Sequence, residues 1–326
     1  MSIKPEFSST QYTSTNATKM RLRNDPSLLQ NKTNKLSIKG AEDSEDKIHS
    51  KLYSFHEIPE WQKDNEYIIK GYVKETNSFK RIFQSLFFLH NETVNIYTHF
   101  LPGILCFALI SSVLEFSLFK KYTTTLTDYL MVNFFFAGAF TCFMMSATFH
   151  CIKAHSEKVS IFGNKLDYLG IVALIVSSLI SLMFYGFYDD FKAFLVFGTI
   201  TTAFGVTCTI LSLKDRFRKR EWRVKRAIMF VIFGLSAVIP LFYGLAKHGY
   251  KEICNKIGFN WVLLEGVFYI TGAVLYGLRY PEKTCPGKYD FFLNSHQIFH
   301  CLVVAGATSH YIALINSYEY VHKTFF

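Results

Sequence analysis

From residue 94 to its end the chain alternates long apolar windows with short polar separators. Seven windows approach membrane-crossing length, at residues 94–118, 128–151, 166–187, 192–213, 227–246, 259–278 and 297–319. About 20 apolar residues in a helix cross a ~30 Å hydrocarbon layer, so each window predicts one transmembrane helix. Hydrocarbon offers no partner to backbone N–H and C=O groups, and an all-α, seven-helix integral membrane bundle follows. Residues 1–54 are rich in Ser, Thr, Asn and Lys with few large apolar residues, which predicts a disordered tail. Residues 55–91 predict an amphipathic juxtamembrane helical segment. Pro59, Glu60 and Trp61 read as a helix start, and Phe79, Ile82, Phe83, Leu86 and Phe87 recur at helical spacing beside Lys80 and Arg81. Residues 92–326 then form the transmembrane domain, with Pro102 and Pro240 expected to kink its first and fifth helices.

Composition agrees. Charged residues make up 18% of the chain against about 25% in soluble domains. Half the residues are hydrophobic and the mean hydropathy is +0.18. The net charge of +10 raises the question of a nucleic-acid partner. However, residues 92–326 carry 21 basic against 14 acidic residues, placed between apolar windows rather than in a continuous polar domain. No nucleic-acid role is therefore expected. The densest run, Lys214 to Lys225, holds seven basic residues in twelve and fits anionic lipid headgroups. The separators after the second, fourth and sixth windows hold 14 Lys and Arg against five in the others. The positive-inside rule then predicts a cytosolic N-terminus and an external C-terminus. The seven cysteines show no CxxC spacing and are expected to be packing residues.

Ionisable residues in membrane spans are costly, so their placement carries the chemistry. Glu92, Asn95 and His99 enter the first window, Ser146 and His150 close the second, Asp167 opens the third, and His296 and His300 open the seventh. In an alternating bundle all these ends share one side, so four helices bring polar groups to one depth near the inner leaflet. His296 and His300 are four apart and share a helix face. With His150 they suit a tetrahedral zinc site with an open fourth position, where a bound water loses a proton near neutral pH. Asp167 is then the base, and Ser146 bonds the water or a substrate oxygen. Glu92, Asn95 and His99 form an outer set that ties the first helix to the site. For His99 a plain helix-packing role is the competing reading. Glu265, in the sixth window, shows no partner at its depth and is expected to snorkel or to pair helices.

These residues carry a family resemblance. The run Glu92-x-x-Asn95-x-x-x-His99, the pair Ser146-x-x-x-His150, Asp167 seventeen positions on, and His296-x-x-x-His300 resemble the progestin and adiponectin receptor (PAQR) family. Hemolysin-III-type proteins are its bacterial relatives. Ile58-Pro59-Glu60-Trp61-Gln62-Lys63-Asp64-Asn65, Asn164-Lys165-Leu166-Asp167-Tyr168-Leu169-Gly170 and Tyr280-Pro281-Glu282-Lys283 extend the match over roughly residues 55–322, nearest the fungal Izh-type branch. The resemblance implies a seven-helix receptor with an intracellular N-terminus and an inner-leaflet Zn2+ on His150, His296 and His300, with Asp167 holding the water on the metal. It implies a role in zinc and lipid or sterol homeostasis signalling. A relationship to alkaline ceramidases implies zinc-dependent lipid-amide (ceramide) hydrolysis. The partners implied are a bilayer lipid of ceramide, sterol or fatty-acid type and an extracellular protein ligand, in the plasma membrane or endoplasmic reticulum. The alternative is a non-catalytic receptor with purely structural zinc. A zinc transporter is less favoured, because transporter sites lie near the midplane between repeats whereas this polar set lies at one end.

Overall fold

The computed structural model describes residues 51–116 and 124–326, with side chains over 51–110 and 124–326. The tail expected over residues 1–54 lies, apart from its last four positions, outside the described residues. Among the described residues the helices are α1 (Phe79–Ser85), α2 (Thr93–Phe116), α3 (Leu126–Ile152), α4 (Glu157–Gly186), α5 (Phe191–Ser212), α6 (Asp215–Arg218), α7 (Arg223–Leu235), α8 (Val238–His248), α9 (Tyr250–Lys256), α10 (Phe259–Leu278) and α11 (Ser295–Phe325). The one β-type contact there is an isolated bridge between Tyr53 and Tyr72.

Among the described residues, seven stretches are long and apolar enough to cross a membrane: α2, α3, α4, α5, the α7–α8 pair, α10 and α11. Large apolar side chains such as Leu101, Phe107, Val196, Ile232, Phe242 and Val267 stand exposed along them, as lipid-facing positions must. The protein is an integral multi-pass membrane protein. The helix continues through Pro102 in α2. The fifth span instead breaks between Leu235 and Val238, and Pro240 sits in the first turn of α8, where its missing N–H costs no helical bond.

Two expectations change. Residues 55–91 are not one helical segment: Glu60–Gln62 form a single 3-10 turn and only Phe79–Ser85 is α-helical. The remainder folds back on itself around buried Ile58, Ile68 and Tyr72, because its apolar residues find one another instead of one helix face. In α1, Ile82 is buried while Phe79 and Phe83 are 61% and 62% exposed, the arrangement of a short helix resting at an interface. Asp167 does not open its helix either. α4 starts at Glu157, so Asp167 lies ten residues, or about 15 Å, along it. Hydropathy marks where a helix becomes apolar, and Ser156 together with acidic Glu157 starts this one earlier.

Small residues bring α3 and α4 together. A Cβ at Gly138 would fall 1.9 Å from Ser177 Oγ, and one at Gly170 would fall 2.9 Å from the Cys142 Cα. Close backbone approach through small residues drives helix pairing in lipid. It fixes these two helices, and hence His150 and Asp167, in register.

A loop closes the same end of the bundle. Segment 52–72 is stitched to segment 279–294 by Asn65 Nδ2 to Glu282 Oε1 at 3.1 Å, by Ile69 and Lys70 N–H groups donating to Asp290, and by Gly287 N–H to the Tyr67 carbonyl. The two separated motifs Ile58–Asn65 and Tyr280–Lys283 are thus partners in space.

Candidate metal centre

His150 ends α3, and His296 and His300 lie on the first turns of α11, which Asn294 caps by accepting the Gln297 N–H. One ligand nitrogen from each histidine lies within 4.8 Å of the others. His150 Nε2 and His296 Nε2 are 3.0 Å apart. Two ring nitrogens at that distance share a proton or face one cation.

The far sides of two rings are committed. His150 Nδ1 lies 2.8 Å from Glu92 Oε2, so the carboxylate takes its N–H and leaves Nε2 as the unprotonated nitrogen. His300 Nδ1 lies 3.1 Å from the Asn95 carbonyl and 3.2 Å from Thr98 Oγ1, which likewise frees Nε2. Neutral imidazoles oriented by a carboxylate and a carbonyl are the donor set that suits zinc, so the residues present fit the ion.

Glu92 is the hub of the outer set. It receives Asn95 Nδ2 at 2.6 Å on Oε2 and the Lys153 ammonium at 2.7 Å on Oε1. Burial opposes its charge, yet Lys153 and His150 hold its carboxyl well below the usual range. His99 makes no such bond. Its ring stacks on His300 at 3.7 Å with the planes 4° apart. It therefore braces a candidate ligand by packing, the competing reading for this residue.

Ser146 and Asp167, both buried, stand on the facing sides of α3 and α4, with the serine hydroxyl against the carboxylate. They share with the three histidines a cavity of about 910 Å3. Polar residues mark its histidine end. Beyond them the lining turns to Leu174, Ile175, Phe230, Val231, Val262 and Ile270, a surface suited to an alkyl chain. All eight sequence-selected residues thus meet at one end of the bundle.

Two contributors escape the sequence reading. Lys153 enters it only as a loop charge; its position three residues after His150, on the same helical face, is the available signal. Thr98 beside His99 gives none. Glu265 does have a partner: His310 Nδ1 lies 2.9 Å from its Oε2, a contact between α10 and α11 that spacing within either helix does not reveal.

Comparison with known proteins shows the family. A family model described as "Haemolysin-III related" matches residues 87–311. The chain is 53% identical over 277 residues to "ADIPOR-like receptor IZH2" of Saccharomyces cerevisiae, covering 85% of this chain and 87% of that protein. It is 44% identical over 272 residues to "ADIPOR-like receptor IZH1" of Eremothecium gossypii, covering 83% and 86%. The "Adiponectin receptor protein" of Drosophila melanogaster is 36% identical over 261 residues, covering 80% of this chain and 58% of that protein.

Proposed function

We propose that this chain, which belongs to the haemolysin-III related family of adiponectin-receptor-like membrane proteins, binds zinc on His150, His296 and His300 and hydrolyses an amide-linked lipid of the ceramide class. The observation that carries the reading is the pair of hydrogen bonds behind the rings. Glu92 and the Asn95 carbonyl hold the Nδ1 atoms of His150 and His300, so both Nε2 atoms are free to ligate. When bound, zinc supplies Lewis-acid polarisation of the amide carbonyl and lowers the pKa of water.

The residues of the chain do the rest. The apolar wall holds the acyl chains and excludes bulk water. Asp167 takes a proton from the attacking water at a carboxylate oxygen and returns it to the amide nitrogen as the C–N bond breaks, giving a fatty acid and a free amine. Ser146 fixes that carboxylate. The histidine end is the cytosolic side in this reading. Supporting this, the most basic segment borders the same cavity mouth through Arg218, Lys219 and Arg220, and Arg220 pairs with Glu66 at 2.7 Å. The receptor would then sense bilayer lipid and signal through the released amine, consistent with a role in zinc and lipid or sterol homeostasis.

The test measures zinc stoichiometry and ceramide turnover on the same purified full-length protein. Wild type should hold one zinc per chain and turn over ceramide, Asp167→Asn should keep zinc and lose turnover, and His300→Ala should lose both. Zinc without turnover above the Asp167→Asn background would overturn the enzymatic reading and leave a receptor whose zinc staples α3 to α11.

A further inference from the structure

The cavity has a second polar station. α11 turns one face to it, carrying His296, His300, Val303 and His310. His310 is ten residues beyond His300 on a continuous helix, so it lies about 15 Å deeper along the axis. It is 1% exposed, with Nδ1 on Glu265 Oε2 at 2.9 Å and Nε2 without a hydrogen-bond partner. Tyr269, one turn along α10 from Glu265, also lines the cavity, and its buried hydroxyl has no partner. The Tyr269 ring packs over Gly306, one turn before His310, so closely that a Cβ there would fall 2.4 Å from Cε1. Two pairs of residues four apart therefore face one another, Glu265 and Tyr269 on α10, Gly306 and His310 on α11.

A buried imidazole nitrogen and a buried phenol left unpaired in hydrocarbon are costly, and lipid tails cannot relieve them. With its Nδ1–H donated to Glu265, His310 presents Nε2 as an acceptor, while Tyr269 presents an O–H donor. One group that both donates and accepts satisfies the two together. A hydroxyl carried by a bound lipid is such a group.

We propose that Glu265, Tyr269 and His310 form a hydroxyl-recognising subsite, which selects single-chain lipids bearing a hydroxyl part-way along the chain when their polar head rests at the histidine end. The register rests on the preceding reading, which places a lipid head beside the three histidines. The spacing of about 15 Å sets where along an extended alkyl chain the hydroxyl falls.

The experiment compares three probes on purified full-length protein by displacement of a fluorescent fatty acid: octadecanoate, 5-hydroxyoctadecanoate and 12-hydroxyoctadecanoate. Wild type should bind the 12-hydroxy acid about tenfold more tightly than octadecanoate and show no such gain for the 5-hydroxy acid. Tyr269→Phe, which removes only the hydroxyl, and His310→Phe should abolish the gain while leaving octadecanoate affinity unchanged. Equal binding of all three acids to wild type would overturn the subsite, as would a 12-hydroxy preference that survives both substitutions. The first comparison needs no variant, so a misfolded mutant cannot rescue the idea. Chelation of the metal separates the two readings. Weaker binding of every acid with the hydroxyl preference intact supports both. Unchanged binding with the preference intact removes the metal-end reading alone.

Discussion

Glu92 Oε2 stands 2.8 Å from His150 Nδ1 while its other oxygen stands 2.7 Å from the Lys153 ammonium. One carboxylate thus orients a candidate ligand and anchors the loop that follows it. Removing a hydrogen-bond partner behind a ligating histidine typically costs 10–100-fold in metal affinity. Glu92→Ala should therefore weaken zinc binding by about that factor, measured by competition with a chelator of known affinity. An unchanged constant would show that the carboxylate serves packing alone.

The seam between α3 and α4 predicts an asymmetric response to adding volume. Gly170→Val drives a branched side chain against the Cys142 backbone, and overpacking of this kind costs about 1–3 kcal/mol. Cys142 lies two turns before His150, so the separation is felt at the site, and zinc content should fall together with the thermal midpoint. Gly198→Ala has nothing within 4 Å of its new Cβ and should leave both measurements unchanged.

Glu282, fully buried, receives the Ser295 N–H at 2.7 Å and the Ser295 hydroxyl at 2.5 Å, besides Asn65. It fixes the first turn of α11, next to His296. Glu282→Ala should cost roughly 3 kcal/mol or more, since it strands three donors and each buried donor left unsatisfied costs roughly 1–3 kcal/mol. The loss should appear in thermal unfolding and as faster proteolysis within residues 52–72.

At the opposite end, Asp189 faces the buried Lys256 ammonium at 2.5 Å, with His248 at 3.9 Å and Glu252 beyond it on His248 at 3.3 Å. Partial burial opposes its charge, but Lys256 outweighs this and holds its carboxyl below the usual carboxylate range. A depressed carboxylate contributes stability above its unfolded pKa, about 3.9, and loses it as pH falls through the lower folded value. Thermal stability should therefore decline below about pH 4, and less steeply in Asp189→Asn. Identical acid limbs for the two proteins would show that the pair contributes nothing.

The seven spans were legible because hydrocarbon leaves a chain no alternative to long apolar helices. His150, Asp167, His296 and His300 were legible because charge is rare in spans and i, i+4 spacing puts two histidines on one face. What stayed hidden depends on contacts between helices or on the backbone. The start of α4 at Glu157 lies in polar sequence that hydropathy does not score. One partner of His300 is the Asn95 carbonyl, a group every residue owns, so no side-chain pattern announces it. The Glu265–His310 pair spans two helices and became visible only when their faces were known. The lead-in from Pro59 reads as a helix start yet yields one 3-10 turn, because burial of Ile58 and Ile68 together outweighs the local signal.

The closure of the histidine end has a further consequence. Segment 52–72 is held in part through its own peptide groups: Tyr53 and Tyr72 exchange backbone bonds, Gly287 donates to the Tyr67 carbonyl, and Ile69 and Lys70 donate to Asp290. Almost any residue can supply such bonds. Lys63, which lines the cavity mouth within this segment and pairs with exposed Glu60, can therefore change without undoing it, whereas Asp64 faces the buried Arg279 guanidinium at 3.9 Å. The make-up of the cavity mouth and the closure of this end are then separate properties, and a change in one leaves the other standing.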